Sequence, residues 1–185
     1  MKRLKLSIEL VPQPLWGLNL RKLLSTKQWD HIRKNSYKKA NYKCELCGQK
    51  GNRHPVECHE IWEYDDKNFI QKLEGVIALC PNCHGVKHFG RQRAIGREQY
   101  AIQHFKKVNC INNNYEVELY LNKVFGIWHK RSLKTNWRVD VKIIKDLLPE
   151  HLQQPLQFSF INGTVIDSHT WCPLSQQPAL NEDAN

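Results

Sequence analysis

The 185-residue chain lacks any apolar run approaching the roughly 18 residues that a bilayer span requires. Its opening, MKRLKLSIEL, is broken by Lys5 and Glu9, unlike a secretory leader. These two absences place the expected protein in the cytoplasm with no membrane partner. Internal repeats are missing as well, so no stacked-repeat architecture is expected. Lys and Arg are absent from residues 151–185, where Asp167, Glu182 and Asp183 stand alone. That stretch is not expected to meet phosphates. Gln and Pro accumulate after Pro149, and residues 173–185 have the composition of a disordered tail.

The basic residues lie elsewhere. Lys and Arg number 28 against 18 Asp and Glu, a net charge of +10, which favours an anionic partner such as nucleic acid over an acidic small molecule. A solvated basic surface would have the same composition. Residues 1–50 alone carry 12 basic and 3 acidic side chains. The length suits one domain with appendages and its own core.

Seven cysteines in a reducing compartment argue against disulfides, and their grouping points to metal. Cys44-x-x-Cys47 and Cys80-x-x-Cys83 are two knuckles separated by residues 48–79. Each spacing lets two thiolates from one tight turn reach the same ion, and two such turns complete the tetrahedron that zinc prefers. Gly48 and Pro81 are turn residues where a knuckle needs them. A closed four-sulfur site has no open position, so this zinc is expected to be structural. Cys58, Cys110 and Cys172 are left over, the last two as ordinary apolar residues.

Periodicity organises the rest. Ser25 with Gln28 forms a capping box, and Trp29, Ile32, Ser36, Tyr37 and Ala40 follow helical spacing, predicting a helix from Ser25 to about Asn41. Its other face carries Arg33, Lys34, Lys38 and Lys39, which would suit a nucleic-acid backbone. Strands are expected over Val56–Trp62 and Gly75–Leu79, with a polar loop at Tyr64–Asn68 between them and a helix starting near Asn82. Further helices fit Tyr100–Val108 and Val117–Trp128, with the basic connection Arg91, Arg93 and Arg97 before them. Trp137, Val139 and Val141 alternate with polar residues, predicting a strand or the entry to a short helix ending before Pro149. Trp62, Trp128 and Trp137 are read as core. The domain reading is an N-terminal arm (1–24), a core with flanking helices (25–110), a helical accessory region (111–150) and a partly disordered tail (151–185).

Two histidines four apart, His84 and His88, would share one helix face directly after the second knuckle and can ligate one ion together. Upstream, Cys58-His59-Glu60-Ile61 ends a predicted strand. His31, His54, His104, His129, His151 and His169 are read as surface or hydrogen-bonded residues.

Cys44-x-x-Cys47-Gly48, Glu57-Cys58-His59-Glu60-Ile61 and Leu79-Cys80-x-x-Cys83-His84-x-x-x-His88 together resemble the HNH, or ββα-metal, nuclease family over residues 44–88. The flanking stretches, Val11-Pro12 with Trp16 and Trp29 through Tyr37, resemble those of bacterial and phage members. The resemblance implies an α+β fold, a small ββα-metal core with its four-cysteine zinc site flanked by helices. It also implies metal-dependent hydrolysis of phosphodiesters in double-stranded DNA, with Mg or Mn, or alternatively Zn, as the catalytic ion. By position, His84 and His88 are similar to the family's metal ligands, with His84 in the catalytic set.

The strand motif departs from the family pattern and leaves two registers. If Ile61 sets the register, His59 is a ligand and Glu60 replaces the base; if His59 is the base, Cys58 occupies the ligand position. The reading adopted from sequence takes His59 as base, with Glu60 helping to hold the ion or its water. Gly75 stands where the family usually has Asn at the start of the second strand. The competing function is a zinc-stabilised nucleic-acid-binding module without catalysis, and a third is a protein-interaction factor.

Overall fold

The computed structural model describes residues 4–153 and the strand at 165–167. The chain mixes helices and strands. Helix α1 spans Leu20–Leu23 and α2 spans Thr26–Lys39; β1 (Glu57–Asp65) and β2 (Ile70–Leu79) form an antiparallel hairpin. Helices α3 (Pro81–Lys87), α4 (Phe89–Ala94), α5 (Glu98–Asn109) and α6 (Asn114–Ser132) follow. The chain then returns through β3 (Arg138–Asp140), α7 (Ile144–Leu147) and β4 (Val165–Asp167). The sheet order is β1-β2-β3-β4, with β3 parallel to β2 and antiparallel to β4.

Local chemistry accounts for these boundaries. Ser25 and Gln28 make the reciprocal capping box at the start of α2. Asp65 ends β1 by accepting from the backbone N–H groups of Lys67 and Asn68, which turns the chain. β2 begins five residues before the expected Gly75, because Lys72 and Glu74 point outward and pair with each other, hiding the alternation with Gln71 and Leu73. Gly75 is therefore not the start of the strand. It sits at φ +149°, beside the bulge where Ile61 faces Gly75 but Trp62 faces Leu73. The alternation at Trp137–Val141 resolves into both expected elements, the strand β3 and then α7, with Trp137, Val139 and Val141 fully buried.

The hairpin is covered on both faces. One face packs on a cluster built from Leu15, Leu20, Trp29, Ile32, Trp137 and Ile144, and the other on Leu6, Val86, Phe89, Phe105 and Val117. Trp62 packs against the first cluster, and Trp128 is half-buried, its indole N–H donating to the carbonyl of Val11 at 3.0 Å. The segment expected to be an arm is thus part of both cores: Leu6, Leu15, Leu20 and Leu23 are inaccessible to solvent. The expected tail from 173 to 185 and His169 lie outside the described residues. Among the described residues no helix is long and apolar enough to cross a membrane.

One buried side chain ties the start of the chain to α5. Asn109 Oδ1 accepts from the backbone N–H groups of Lys5 (2.8 Å) and Leu6 (3.0 Å), and Nδ2 donates to the carbonyls of Leu6 (2.8 Å) and Phe105 (3.0 Å). Each buried group left unpaired costs about 1–3 kcal/mol. Asn109→Ala is expected to lower unfolding free energy by about 2–4 kcal/mol, read as a lower urea midpoint at unchanged slope.

Candidate metal centres

Four cysteine sulfurs converge where β2 ends and α3 begins. One ligand atom from each of Cys44, Cys47, Cys80 and Cys83 lies within 4.8 Å of the others, a group that can hold a metal ion and is consistent with zinc. Gly48, at φ +76°, closes the first turn by donating to the Cys44 carbonyl at 2.8 Å. Glu45 staples that turn to the hairpin: its N–H donates to the Ala78 carbonyl, and its carboxylate accepts from the Ala78 N–H. Cys80 caps α3, its sulfur accepting from the Cys83 N–H. Hydrogen bonding from Cys80 and Cys83 pulls the Cys44 thiol far down, while the same contacts push Cys83 far up and Cys80 up to about 11. One thiolate so close to its neighbours opposes a second, and a divalent cation removes that conflict. His104, read from the sequence as a surface or hydrogen-bonded residue, is hydrogen-bonded, its Nε2 lying 3.2 Å from Cys83 Sγ. The available signal was its place on α5, between the core residues Ala101 and Phe105.

The second group is His59, His84 and His88, with one ring nitrogen of each again within 4.8 Å of the others. His59 projects from β1 and is 5% exposed. His84 and His88 stand one turn apart, their Nε2 atoms at 3.0 Å. The three rings meet edge to face, with centroids 4.6–5.2 Å apart. Burial, aided by the neighbouring His84 and His59, pushes His88 down to about 3, so its ring is neutral and keeps a lone pair.

Carboxylates fix the other two rings. His59 Nε2 donates to Glu9 Oε2 at 2.9 Å, and His84 Nδ1 donates to Glu57 Oε2. Those contacts leave His59 Nδ1 and His84 Nε2 as the ring nitrogens turned away from the carboxylates. His59 Nδ1 is buried with no hydrogen-bond partner. A buried, orphaned imidazole nitrogen beside two neutral or carboxylate-oriented imidazoles suits a metal ion, and a carboxylate on the far ring nitrogen is the usual support for a metal-binding histidine. Burial pushes the Glu9 carboxyl up, but hydrogen bonding to His59 and the charge of Lys87 outweigh it and hold the group below the ordinary range. Sequence reasoning missed Glu9. Its only signal was an acid within the apolar alternation Leu6, Ile8, Leu10.

Glu60 lies apart from the three histidines' ligand atoms. Strand alternation turns it away from His59, and Oε1 accepts from the Leu20 N–H at 2.8 Å. It nevertheless lines a cleft of about 190 Å³ together with Glu9, His59 and His88. Burial raises its carboxyl above the ordinary range.

No family model, curated protein or solved structure matches this chain.

The basic residues expected to meet nucleic acid are spread over different surfaces. α2 packs through Trp29 and Ile32 on the hairpin face that carries Cys58 and Trp62, the face opposite His59. Arg33 and Lys34 both pair with Asp30 on that helix, while Lys38 and Lys39 are exposed there. Arg91 and Arg93 border a separate, mainly apolar cleft that includes Glu9, Trp16 and His88, and Arg97 stacks over Tyr100 at 5.3 Å.

Two measurements test these centres. Cys44→Ser is expected to remove one zinc per chain by elemental analysis and to lower the thermal midpoint, whereas His84→Ala keeps that zinc. Glu9→Gln is expected to weaken divalent-ion binding at the histidine site by about 10–100-fold in calorimetry, with the cysteine-site metal retained.

Proposed function

We propose that this protein is a metal-dependent endonuclease of the HNH type, hydrolysing phosphodiester bonds of double-stranded DNA around His59, His84 and His88. The observation that carries the reading is the convergence of His59, from the hairpin, with His84, from the helix that the cysteine group starts, and His88, which caps the end of that helix. The net charge of +10 supports an anionic substrate.

In this reading His59 is a ligand. Its Nε2 is held by Glu9, and its Nδ1, buried without a hydrogen-bond partner, is the ring nitrogen open to an ion. His59, His84 and His88 would hold the ion, and this all-imidazole set suits zinc or a similar transition ion better than Mg. When bound, the ion supplies positive charge against the charge that develops on the phosphate oxygens. Glu60, facing the cleft beside His59 and His88, is then the group placed to accept the water proton. Its Oε1 is oriented by the Leu20 N–H. Glu9 and Glu57 position the two rings and do not touch the substrate.

Supercoiled plasmid incubated with Zn, Mn or Mg separates the roles. Wild type is expected to nick or linearise it. His59→Ala should lose both cleavage and histidine-site metal, and Glu60→Gln should lose cleavage by about 100-fold or more while keeping the metal. Retained cleavage in Glu60→Gln, with metal retained in His59→Ala, would return the base role to His59. Binding without cleavage by wild type under every ion would make the protein a nucleic-acid-binding module.

A further inference from the structure

A broad open groove lies next to the cysteine centre, and neither the helix α2 cations nor Arg91 and Arg93 line it. It measures about 850 Å³ and runs between the loop after the first cysteine turn and helix α5. Lys50 and Arg53 come from the loop, Lys107 from α5 and Lys5 from the N-terminal segment. All four are exposed, and among the described residues none forms an ion pair. Arg33, Lys34, Arg93 and Arg131 are all paired with carboxylates. Unpaired cations facing one groove create the stronger field for an anion.

The groove also leads somewhere. Its wall includes Glu57, whose carboxylate holds His84 Nδ1, so one side chain links the groove to the three-histidine group. Tyr100 lines the same groove, its hydroxyl donating to Asn82 at 3.3 Å, and Arg97 covers its ring.

We infer that this groove is the track for the nucleic-acid backbone, with Lys5, Lys50, Arg53 and Lys107 contacting successive phosphates on the approach to the histidine site. The inference deepens the nuclease reading and rests on it for the identity of the polyanion. It assigns the binding surface to residues around the cysteine centre and away from α2. Such contacts position a backbone without reading its sequence.

The test uses the full chain, a duplex oligonucleotide and a KCl series. The variants are Lys50→Ala/Arg53→Ala/Lys107→Ala and, as the comparison surface, Lys38→Ala/Lys39→Ala. Each lost phosphate contact flattens the log–log salt dependence of binding by about 0.9, so the triple variant is expected to lose about 2–3 units of slope and at least tenfold in affinity at low salt. The α2 variant should stay within about twofold of wild type. Matching circular dichroism and zinc content show that both variants are folded. Loss confined to the α2 variant, no duplex binding by wild type at low salt, or groove-dependent binding of polyglutamate in place of the duplex would each overturn the inference. Groove-dependent duplex binding with no cleavage under any ion would uphold the track and overturn only the nuclease reading.

Discussion

The constraint on which the site depends is the meeting of four cysteine sulfurs at the junction of β2 and α3. Cys80 is at once the first residue after the strand, the cap of the helix and a member of the sulfur group. Pinning it sets the angular phase of α3. His84 and His88 lie four and eight residues later, so the same phase brings both to the face that meets His59. Glu45 couples the other knuckle to Ala78, and the hairpin is locked from two directions. The mutual contacts of the thiols drive Cys44 down and Cys83 up, so one thiolate is favoured and further deprotonation is opposed unless a cation is bound. A structural ion of the zinc type contributes on the order of 10 kcal/mol of folding free energy in small domains. The two groups share no ligand, but Cys80 and Cys83 start the helix that carries His84 and that His88 ends.

The N-terminal segment completes what the cysteines begin. Asn109 fixes Lys5 and Leu6, the Ile8 N–H donates to the Tyr120 hydroxyl at 2.9 Å, and the Glu9 N–H donates to the Lys87 carbonyl at 3.0 Å. This delivers Glu9 to His59 with its charge already balanced by Lys87. Without Lys87, the cost of burying a carboxylate would fall on the His59 contact alone. The long sequence separation between Glu9 and His59 is thus bridged by α3, the helix that carries His84 and ends at His88.

Much of this was legible beforehand. The capping box at Ser25, the cysteine spacing and the i, i+4 histidines each encode geometry locally, and all appear where their spacing places them. The positions that escaped are those whose partner is distant in sequence. Glu9 and His104 become part of the centres only through tertiary contact, and a lone acid or histidine carries no periodic signal. The early half of β2 escaped for a different reason, since Lys72 and Glu74 satisfy each other on the solvent face and resemble a loop. The packing of residues 1–24 was not legible because their apolar residues are divided between two cores, so neither face looks continuous along the chain.

The charge distribution follows the same division between local and long-range order. Basic residues on α2 suggested a binding face because they recur at helical spacing, yet a helix can neutralise such residues within itself, as Asp30 does for Arg33 and Lys34. Lys5, Lys50, Arg53 and Lys107 have no common spacing, and no window of sequence contains them. They come together because the cysteine turn, α5 and the anchored N-terminus enclose one groove. None of these four cations forms an ion pair among the described residues, and unpaired cations attract an external polyanion more strongly than paired ones. The net charge of +10 is accordingly a weaker guide to the binding surface than the positions of the few cations that folding leaves unpaired.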